Sequence, residues 1–275
     1  MIVLAGGDLV LPDRILTGAS LVIDGTRIAA VEPRSRVDAA GATIVDAREC
    51  YVVPGFIDVH VHGVEGHDTL DPGNPVAAIA SRLPRYGVTA FCPTTVACGP
   101  RELRAVVEQV ARARAARPAA SARVLPAHLE SNFINPDFRG AQPAECLRLP
   151  PGSAALDSAR VGKAGHDVRR PGSAQRARQD EAGDFSARDI LDAVAAAGPD
   201  VGIVTLAPEL PGGLDLVRVL VSAGRRVSIG HSGANVDEAM AAIDAGARHA
   251  THLFNRMTPI AHRAPGIAGA VLARD

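Results

Sequence analysis

The sequence has almost no lysine and no excess of charge of either sign. Its 275 residues include 29 basic and 30 acidic side chains, which gives a formal net charge of −1. This balance argues against a nucleic-acid-binding or membrane-surface protein, because both need a basic face. Lys163 is the single lysine and all other basic residues are arginines. A genome rich in G and C explains that bias more simply than a function does.

The sequence also has few cysteines, an opening segment unlike a leader, and no long apolar run. The four cysteines form no CxxC pair, so reduced thiols in the cytosol are the default expectation. The opening MIVLAGGDLVLPD has no basic segment and soon reaches Asp8, unlike a secretory signal. No apolar run approaches the roughly 18 residues that a membrane-spanning helix needs. We therefore expect a cytoplasmic protein with no nucleic-acid or membrane partner.

From residue 54 onward, short β-rich runs alternate with helix-like segments. The runs are residues 55–62, 87–95, 122–130, 201–209, 226–232 and 249–255. Apolar strands that alternate with helices predict a parallel sheet covered by helices. No GxGxxG follows any run, whereas polar residues close every run, which favours a (β/α)8 barrel over an open doubly wound sheet. Six strands are present where a complete barrel has eight.

Two other parts of the chain have a different character. Residues 1–53 read as short strands, and Asp24-Gly25 is a hairpin signal. Residues 150–185 are rich in Gly, Ser, Ala and Arg, and this composition predicts a long mobile loop. The predicted domains are therefore residues 1–53 and residues 54–275.

Polar residues at the strand ends predict a metal site. His60 and His62 are two apart, so they share one face of a strand. Alone, this pair fits half of a metal site or a hydrogen-bonded buried pair equally well. Glu130, His231 and His252 close three later strands. Burying so many ionisable groups is costly unless a cation ties them together, and imidazole with carboxylate suits Zn²⁺ or Fe²⁺.

The motifs and their order resemble the amidohydrolase superfamily, and within it the N-acetylglucosamine-6-phosphate deacetylase family. The motifs are PGFIDVHVHG (54–63), GVTAFCPTT (87–95), HLESNFINPDFRGAQ (128–142), VTLAPE (204–209), SIGHSGA (228–234) and THLFNRMTPIAHRAPGIAGAVL (251–272). The resemblance implies an α/β fold, a TIM-barrel-type metal-dependent hydrolase that is incomplete, with about six strands present. It also implies that residues 1–53 are the N-terminal part of the small β-sandwich that flanks this barrel.

The resemblance assigns roles to the polar strand ends. It implies Glu130, His231 and His252 as ligands of a main metal ion. His60 and His62 would complete a second site that Glu130 bridges, so one or two zinc or iron ions per chain are expected. Relatives that bridge two metals with a carboxylated lysine are disfavoured, because the strand runs contain no lysine.

The resemblance also implies contacts to a sugar phosphate. The residues concerned are Ala141, Gln142, Asn255, Arg256 and Arg263. A guanidinium suits this role because it forks onto phosphate oxygens. The chain departs from the family at HLESN instead of HLEGP, at Gln142 instead of histidine, and at HRAPG instead of HREPG. These departures bear on the substrate contacts more than on the metal ligands. His67 and His249 are expected to be structural.

The implied reaction is hydrolysis of the N-acetyl group of N-acetylglucosamine 6-phosphate, which yields glucosamine 6-phosphate and acetate in amino-sugar catabolism. The family suggests a homodimer. Its general base is an aspartate at the end of the eighth strand, expected beyond Asp275. No catalytic base is therefore assigned, and the chain is expected to be C-terminally truncated and impaired. The alternatives are a non-catalytic remnant that binds metal or sugar phosphate, and an amidohydrolase acting on another N-acyl substrate.

Overall fold

The computed structural model describes residues 1–33, 41–116, 118–152 and 184–274. Its coordinates form two compact units, Met1–Phe56 and Ile57–Asp275. Most of the loop predicted over residues 150–185, and Asp275 itself, lie outside the described residues. The domain limits predicted from the motifs, 1–53 and 54–275, stay a prediction.

The first unit contains a five-stranded sheet. Its strands are β1 (Ile2–Val10), β2 (Ile15–Asp24), β3 (Arg27–Pro33), β4 (Thr43–Asp46) and β5 (Tyr51–Val52). The order is β3-β2-β1-β4, and β5 also pairs with β1. The first three strands pair antiparallel, whereas β4 and β5 pair with β1 in parallel. The hairpin predicted at Asp24-Gly25 is confirmed, because Gly25 has the φ of 55° that such a tight turn requires.

The second unit is built on a parallel sheet that forms part of a barrel. Its strands are β6 (Phe56–Val61), β9 (Val88–Thr95), β10 (Arg123–Val124), β11 (Ala127–Glu130), β12 (Val201–Leu206), β13 (Arg226–Ile229) and β14 (His249–Ala250), and a small hairpin comprises β7 (Gly63–Val64) and β8 (His67–Asp68). The sheet order is β10-β9-β11-β12-β13-β14, with β6 paired to β9. All six predicted strands are found. The third is split into β10 and β11 beside Pro126, which has no backbone N–H to donate.

Helices follow the strands, as the alternation predicted. They are α1 (Pro75–Arg82), α2 (Pro100–Ala115), α3 (Ala187–Ala196), α4 (Gly213–Ser222), α5 (Val236–Asp244) and α6 (Gly266–Leu272). Capping boxes begin two of them, Ser186 with Asp189 at α3 and Asn235 with Glu238 at α5. Among the described residues, no helix has the length and apolar content needed to cross a membrane.

The core of the second unit lies between the sheet and its helices. Phe91 of β9, Ile79 of α1 and Leu216 of α4 are fully buried there. Residues on both faces of the central strands are buried, which is usual for parallel strands covered by helices. Buried polar residues collect at the carboxyl ends of the strands, with Glu130 of β11 as the most costly to bury. The candidate site is therefore at this end of the sheet.

Candidate metal centre

The carboxylate of Glu130 is the meeting point of four imidazoles. Its Oε1 atom lies 2.7 Å from the Nε2 atoms of both His231 and His252. The Nε2 atom of His62 lies 3.1 Å from Oε2, and that of His60 lies 3.7 Å from Oε1. Strand ends that are far apart in the chain thus bring all five predicted ligands together. Their role as metal ligands stays a prediction.

The two histidines of β6 reach this point because residues two apart share a face of the strand. Their Nε2 atoms are 3.1 Å apart. Within the part of the chain that the structure describes, their Nδ1 atoms are buried without a hydrogen-bond partner. Ligands that share one tetrahedral zinc ion at about 2.1 Å stand roughly 3.4 Å from each other. The spacing between the Nε2 atoms is therefore close to that of two ligands of one ion.

His231 gives the clearest test of whether a cation fits. Its Nδ1 lies 2.9 Å from the backbone carbonyl of Phe138, which can only accept, so Nδ1 carries the proton. In the neutral ring, Nε2 then presents a lone pair to Glu130 Oε1 at 2.7 Å. Two lone pairs at this distance repel unless a proton or a metal ion lies between them. The ligand atoms of His60, Glu130 and His252 also lie within 4.8 Å of one another. The donor set fits a divalent cation.

The protonation states also suit metal binding. Burial lowers the pKa of His60 to about 4, although the charge of Glu130 opposes this shift. Burial alone would raise the pKa of Glu130, but the adjacent imidazoles of His231, His252 and His62 outweigh it and hold that pKa far below its usual range. A neutral imidazole and an ionised carboxylate are the forms that bind metal ions.

The backbone is unusual at two of the candidate ligands. His231 and His252 follow β13 and β14 with φ angles of 50° and 54°, in the left-handed region that side chains other than glycine rarely adopt. Such conformations persist where surrounding contacts hold them, and they are frequent at functional sites. At each of these two residues the left-handed conformation turns the chain away from the strand direction. Both imidazoles then face Glu130.

A chain of buried and partly buried hydrogen bonds lies among the strands that carry the candidate ligands. It joins, in order, Val59 O, His128, Thr205, Thr251, Ser228 and His249, at distances of 2.7, 2.7, 2.9, 2.6 and 2.8 Å. The motifs predicted no role for His128 or for the hydroxyls, although His128 lies two residues before Glu130 and so shares its face of β11. The chain links β6, β11, β12, β13 and the end of β14.

We expect the metal-free protein to lose stability as the pH falls from 6.5 towards 4. Burial lowers the pKa of His128 to about 3 and that of His60 to about 4, against 6.5 for an exposed histidine. Between these values the unfolded state binds more protons than the folded state, so protonation favours unfolding. Urea denaturation with a chelator at several pH values measures the slope. We expect His128→Gln to flatten it and His262→Gln, which changes an exposed residue, to leave it unchanged. An equal slope in all three proteins would contradict the prediction.

The residues predicted to contact the substrate lie in two segments. Ala141 and Gln142 follow β11, and the other three follow β14. Gln142 is buried, and its Nε2 donates to Glu130 Oε2 while its Oε1 accepts from Ala97 N at 2.7 Å. Its side chain therefore meets a candidate metal ligand directly. The preceding Ala141 is exposed. The sugar-phosphate role of both residues stays a prediction.

Asn255, Arg256 and Arg263 are exposed in the segment after β14. The Arg256 guanidinium packs against Gly140, where an added Cβ would lie 2.6 Å from Arg256 Nε. Arg256 thus lies beside the loop that carries Ala141 and Gln142. Arg263 lies in a tight turn, which is closed by two backbone hydrogen bonds between Ala261 and Ala264. Their substrate contacts also stay predictions.

A parallel barrel sheet with a histidine–glutamate cluster at the carboxyl ends of its strands is an amidohydrolase-type fold, and the predicted fold class is confirmed. No family model matches the chain. It is 35% identical over 270 residues to N-acetylglucosamine-6-phosphate deacetylase of Rattus norvegicus, covering 93% of this chain and 56% of the relative. It is 29% identical over 270 residues to the enzyme of the same name from Bacillus subtilis, covering 97% and 59%.

A solved structure agrees with these relatives. A mutant N-acetyl-D-glucosamine-6-phosphate deacetylase from Mycobacterium smegmatis, in complex with N-acetyl-D-glucosamine-6-phosphate, superposes with a TM-score of 0.74. It is 29% identical, and the match covers 99% of this chain and 61% of that one. The chain is thus related to the N-acetylglucosamine-6-phosphate deacetylases, as the motifs predicted. It spans a little over half the length of the curated relatives that it matches, 56% of the rat protein.

Proposed function

We propose that this chain forms the metal-binding part of an N-acetylglucosamine-6-phosphate deacetylase, which hydrolyses the N-acetyl group to give glucosamine 6-phosphate and acetate. The observation that carries the proposal is the convergence of four imidazoles on the buried carboxylate of Glu130. A buried cluster of this composition at the carboxyl ends of barrel strands is typical of a metal-dependent hydrolase.

Glu130, His231 and His252 would hold the main ion, and His60 with His62 would hold a second ion that Glu130 bridges. Zinc or iron suits this set of nitrogen and oxygen ligands. When bound, such an ion lowers the pKa of a water ligand from 15.7 to about 7 and polarises a carbonyl oxygen. Gln142 donates to Glu130 and so would orient the carboxylate. No residue among those described is assigned as the general base.

The sugar phosphate would be held by Ala141, Gln142, Asn255, Arg256 and Arg263. Arg263 and Arg256 bring positive charge to the exposed segment after β14. A guanidinium donates two parallel hydrogen bonds to phosphate oxygens, so these arginines would favour the phosphorylated sugar over the free sugar. We further propose, on the family resemblance, a cytoplasmic location and a homodimer.

Calorimetric titration of the zinc-loaded chain tests the substrate. We expect N-acetylglucosamine 6-phosphate to bind at least about ten times more tightly than N-acetylglucosamine. The reason is that a charge-assisted hydrogen bond contributes about 1.5–3 kcal/mol. We expect Arg263→Ala to reduce this preference. Arg218→Ala is the matched control, since Arg218 is exposed on α4 and pairs with Asp215. Equal binding of the two sugars would contradict the phosphate role.

Acetate release in the same samples separates the two classes of function. Release that stops on chelation of the metal supports the hydrolase. Because no described residue is assigned as the general base, binding of the sugar phosphate without release is expected of a deacetylase part and of the non-catalytic alternative alike, and only release decides for the hydrolase. Release from other N-acyl compounds, but not from the sugar phosphate, supports an amidohydrolase with a different substrate.

A further inference from the structure

Glu209, the last residue of the VTLAPE motif, lies outside the candidate ligand set but contacts the loop that carries His231. Its Oε1 atom accepts hydrogen bonds from Gly233 N at 2.6 Å and from Asn135 Nδ2 at 3.0 Å. Its Oε2 atom accepts from Ser232 Oγ at 2.6 Å. One carboxylate therefore receives three donors, and two of them belong to the residues directly after His231.

The loop needs such a partner because of the conformation of His231. Its φ of 50° is in the left-handed region, which a residue with a side chain keeps only when its neighbours hold it. Asn135 contributes on the other side, because its backbone N–H donates to the carbonyl of His231 at 2.9 Å. Asn135 thus contacts both His231 and Glu209, which ties the loop after β11 to the loop after β13.

The loop also has little room to rearrange if these bonds are lost. A Cβ added at Gly233 would lie 2.7 Å from Phe138 Cε2, so the backbone of Gly233 passes close to the Phe138 ring. The carbonyl of Phe138 is the partner of His231 Nδ1. A shift of Gly233 would therefore disturb both the backbone and the ring orientation of His231.

We propose that Glu209 is a positioning residue for His231: its carboxylate holds Ser232 and Gly233 so that His231 Nε2 stays directed at Glu130. This inference rests on the proposed metal site. A carboxylate suits the task because it accepts on both oxygens, and groups that orient a metal ligand typically change metal affinity when they are removed.

Zinc affinity, measured by competition with a chromogenic chelator, tests the inference. We expect Glu209→Ala to weaken zinc binding roughly 10- to 100-fold. Glu209→Gln should restore most of the affinity, because its carbonyl oxygen can keep the bonds from Gly233 and Asn135. Glu238→Ala is the matched control: Glu238 also accepts from a backbone N–H of this segment, that of Asn235 at 2.9 Å, but it belongs to the cap of α5. We expect it to bind zinc as the unaltered chain does.

Two further readouts complete the test. The absorption bands of bound Co²⁺ should change in Glu209→Ala and not in Glu238→Ala, because they report ligand geometry. In the metal-free protein, the imidazole NMR signals of His231 should shift in Glu209→Ala alone. If Glu209→Ala does not fold, Ser232→Ala removes one of the three donors and should give a smaller loss of affinity.

The outcomes distinguish this inference from the proposed function. Unaltered zinc affinity and unaltered His231 signals in Glu209→Ala would overturn the positioning role. Equal losses in Glu209→Ala and Glu238→Ala would also overturn it, because the effect would then be general loosening of the segment. Failure of the unaltered chain to bind zinc would contradict the proposed function, and the NMR comparison would still decide the role of Glu209.

Discussion

Replacement of Glu130 by glutamine is expected to lower zinc affinity roughly 10²- to 10³-fold, because a zinc binding free energy of about 10–16 kcal/mol is shared among about four ligands. Glutamine has nearly the same shape, but it is neutral and has one acceptor oxygen. The Oε1 atom of Glu130 faces His231 and His252, and its Oε2 atom faces His62 and the amide of Gln142. The glutamine amide would place N–H donors where Glu130 has an acceptor oxygen. These donors would face the nitrogen atoms of the neighbouring side chains, and they cannot bind a metal ion.

Elemental analysis after dialysis and a competition titration together measure this effect. Glu145→Gln is the matched control, since Glu145 is exposed just beyond Gln142. We expect it to keep the metal content and affinity of the unaltered chain. His231→Ala should also lose affinity, because it removes an imidazole that lies 2.7 Å from the carboxylate. Unchanged metal content in Glu130→Gln would show that the cluster is not the metal site.

Gly63→Ala is expected to destabilise the second unit by at least about 3 kcal/mol, more than a typical overpacking substitution. An added Cβ would lie 2.0 Å from the carbonyl oxygen of His67 and 2.9 Å from its carbonyl carbon. These are backbone atoms of β8, which pairs with β7 through Gly63 and Asp68. No side chain can rotate away, so the hairpin would have to separate. Because Gly63 directly follows His62, we also expect weaker metal binding.

Gly66→Ala, in the turn of the same hairpin, is the control. A Cβ there meets no atom within 4 Å, but the φ of 79° strains any residue with a side chain. Left-handed strain costs about 1–2 kcal/mol. Urea denaturation of both variants gives the two free energies of unfolding. If Gly66→Ala is destabilised as much as Gly63→Ala, close approach of the β8 backbone is not the reason.

Much of the barrel unit was predictable because its signals are local. The alternation of apolar runs and helical segments predicted the strands and helices, and the structure confirms six runs as strands. The pair His60 and His62 was predictable in the same way, since side-chain alternation along one strand needs no knowledge of its neighbours. The split of the third strand follows from Pro126, whose effect on strand pairing is also local.

Other parts of the site depend on where strands lie beside each other. Glu209 contacts residues 23 and 24 positions later in the chain, and Asn135 reaches it across 74 positions. Gln142 belongs to a motif that predicted a substrate contact, and its hydrogen bond to the buried carboxylate of Glu130 is a further contact that the motif did not indicate. Strand register and loop path decide such contacts, and neither can be worked out from composition or periodicity.

By itself, the sequence determined which elements form, which residue types stand at the strand ends and which family the motifs resemble. These properties follow from hydrophobic periodicity and turn chemistry, which act over a few residues. Only the tertiary structure decided how closely each imidazole approaches the carboxylate, that His231 and His252 adopt left-handed backbone conformations, and that hydroxyls of neighbouring strands link into a chain. These features arise because parallel strands in register bring their carboxyl ends together, and packing there overrides local backbone preference.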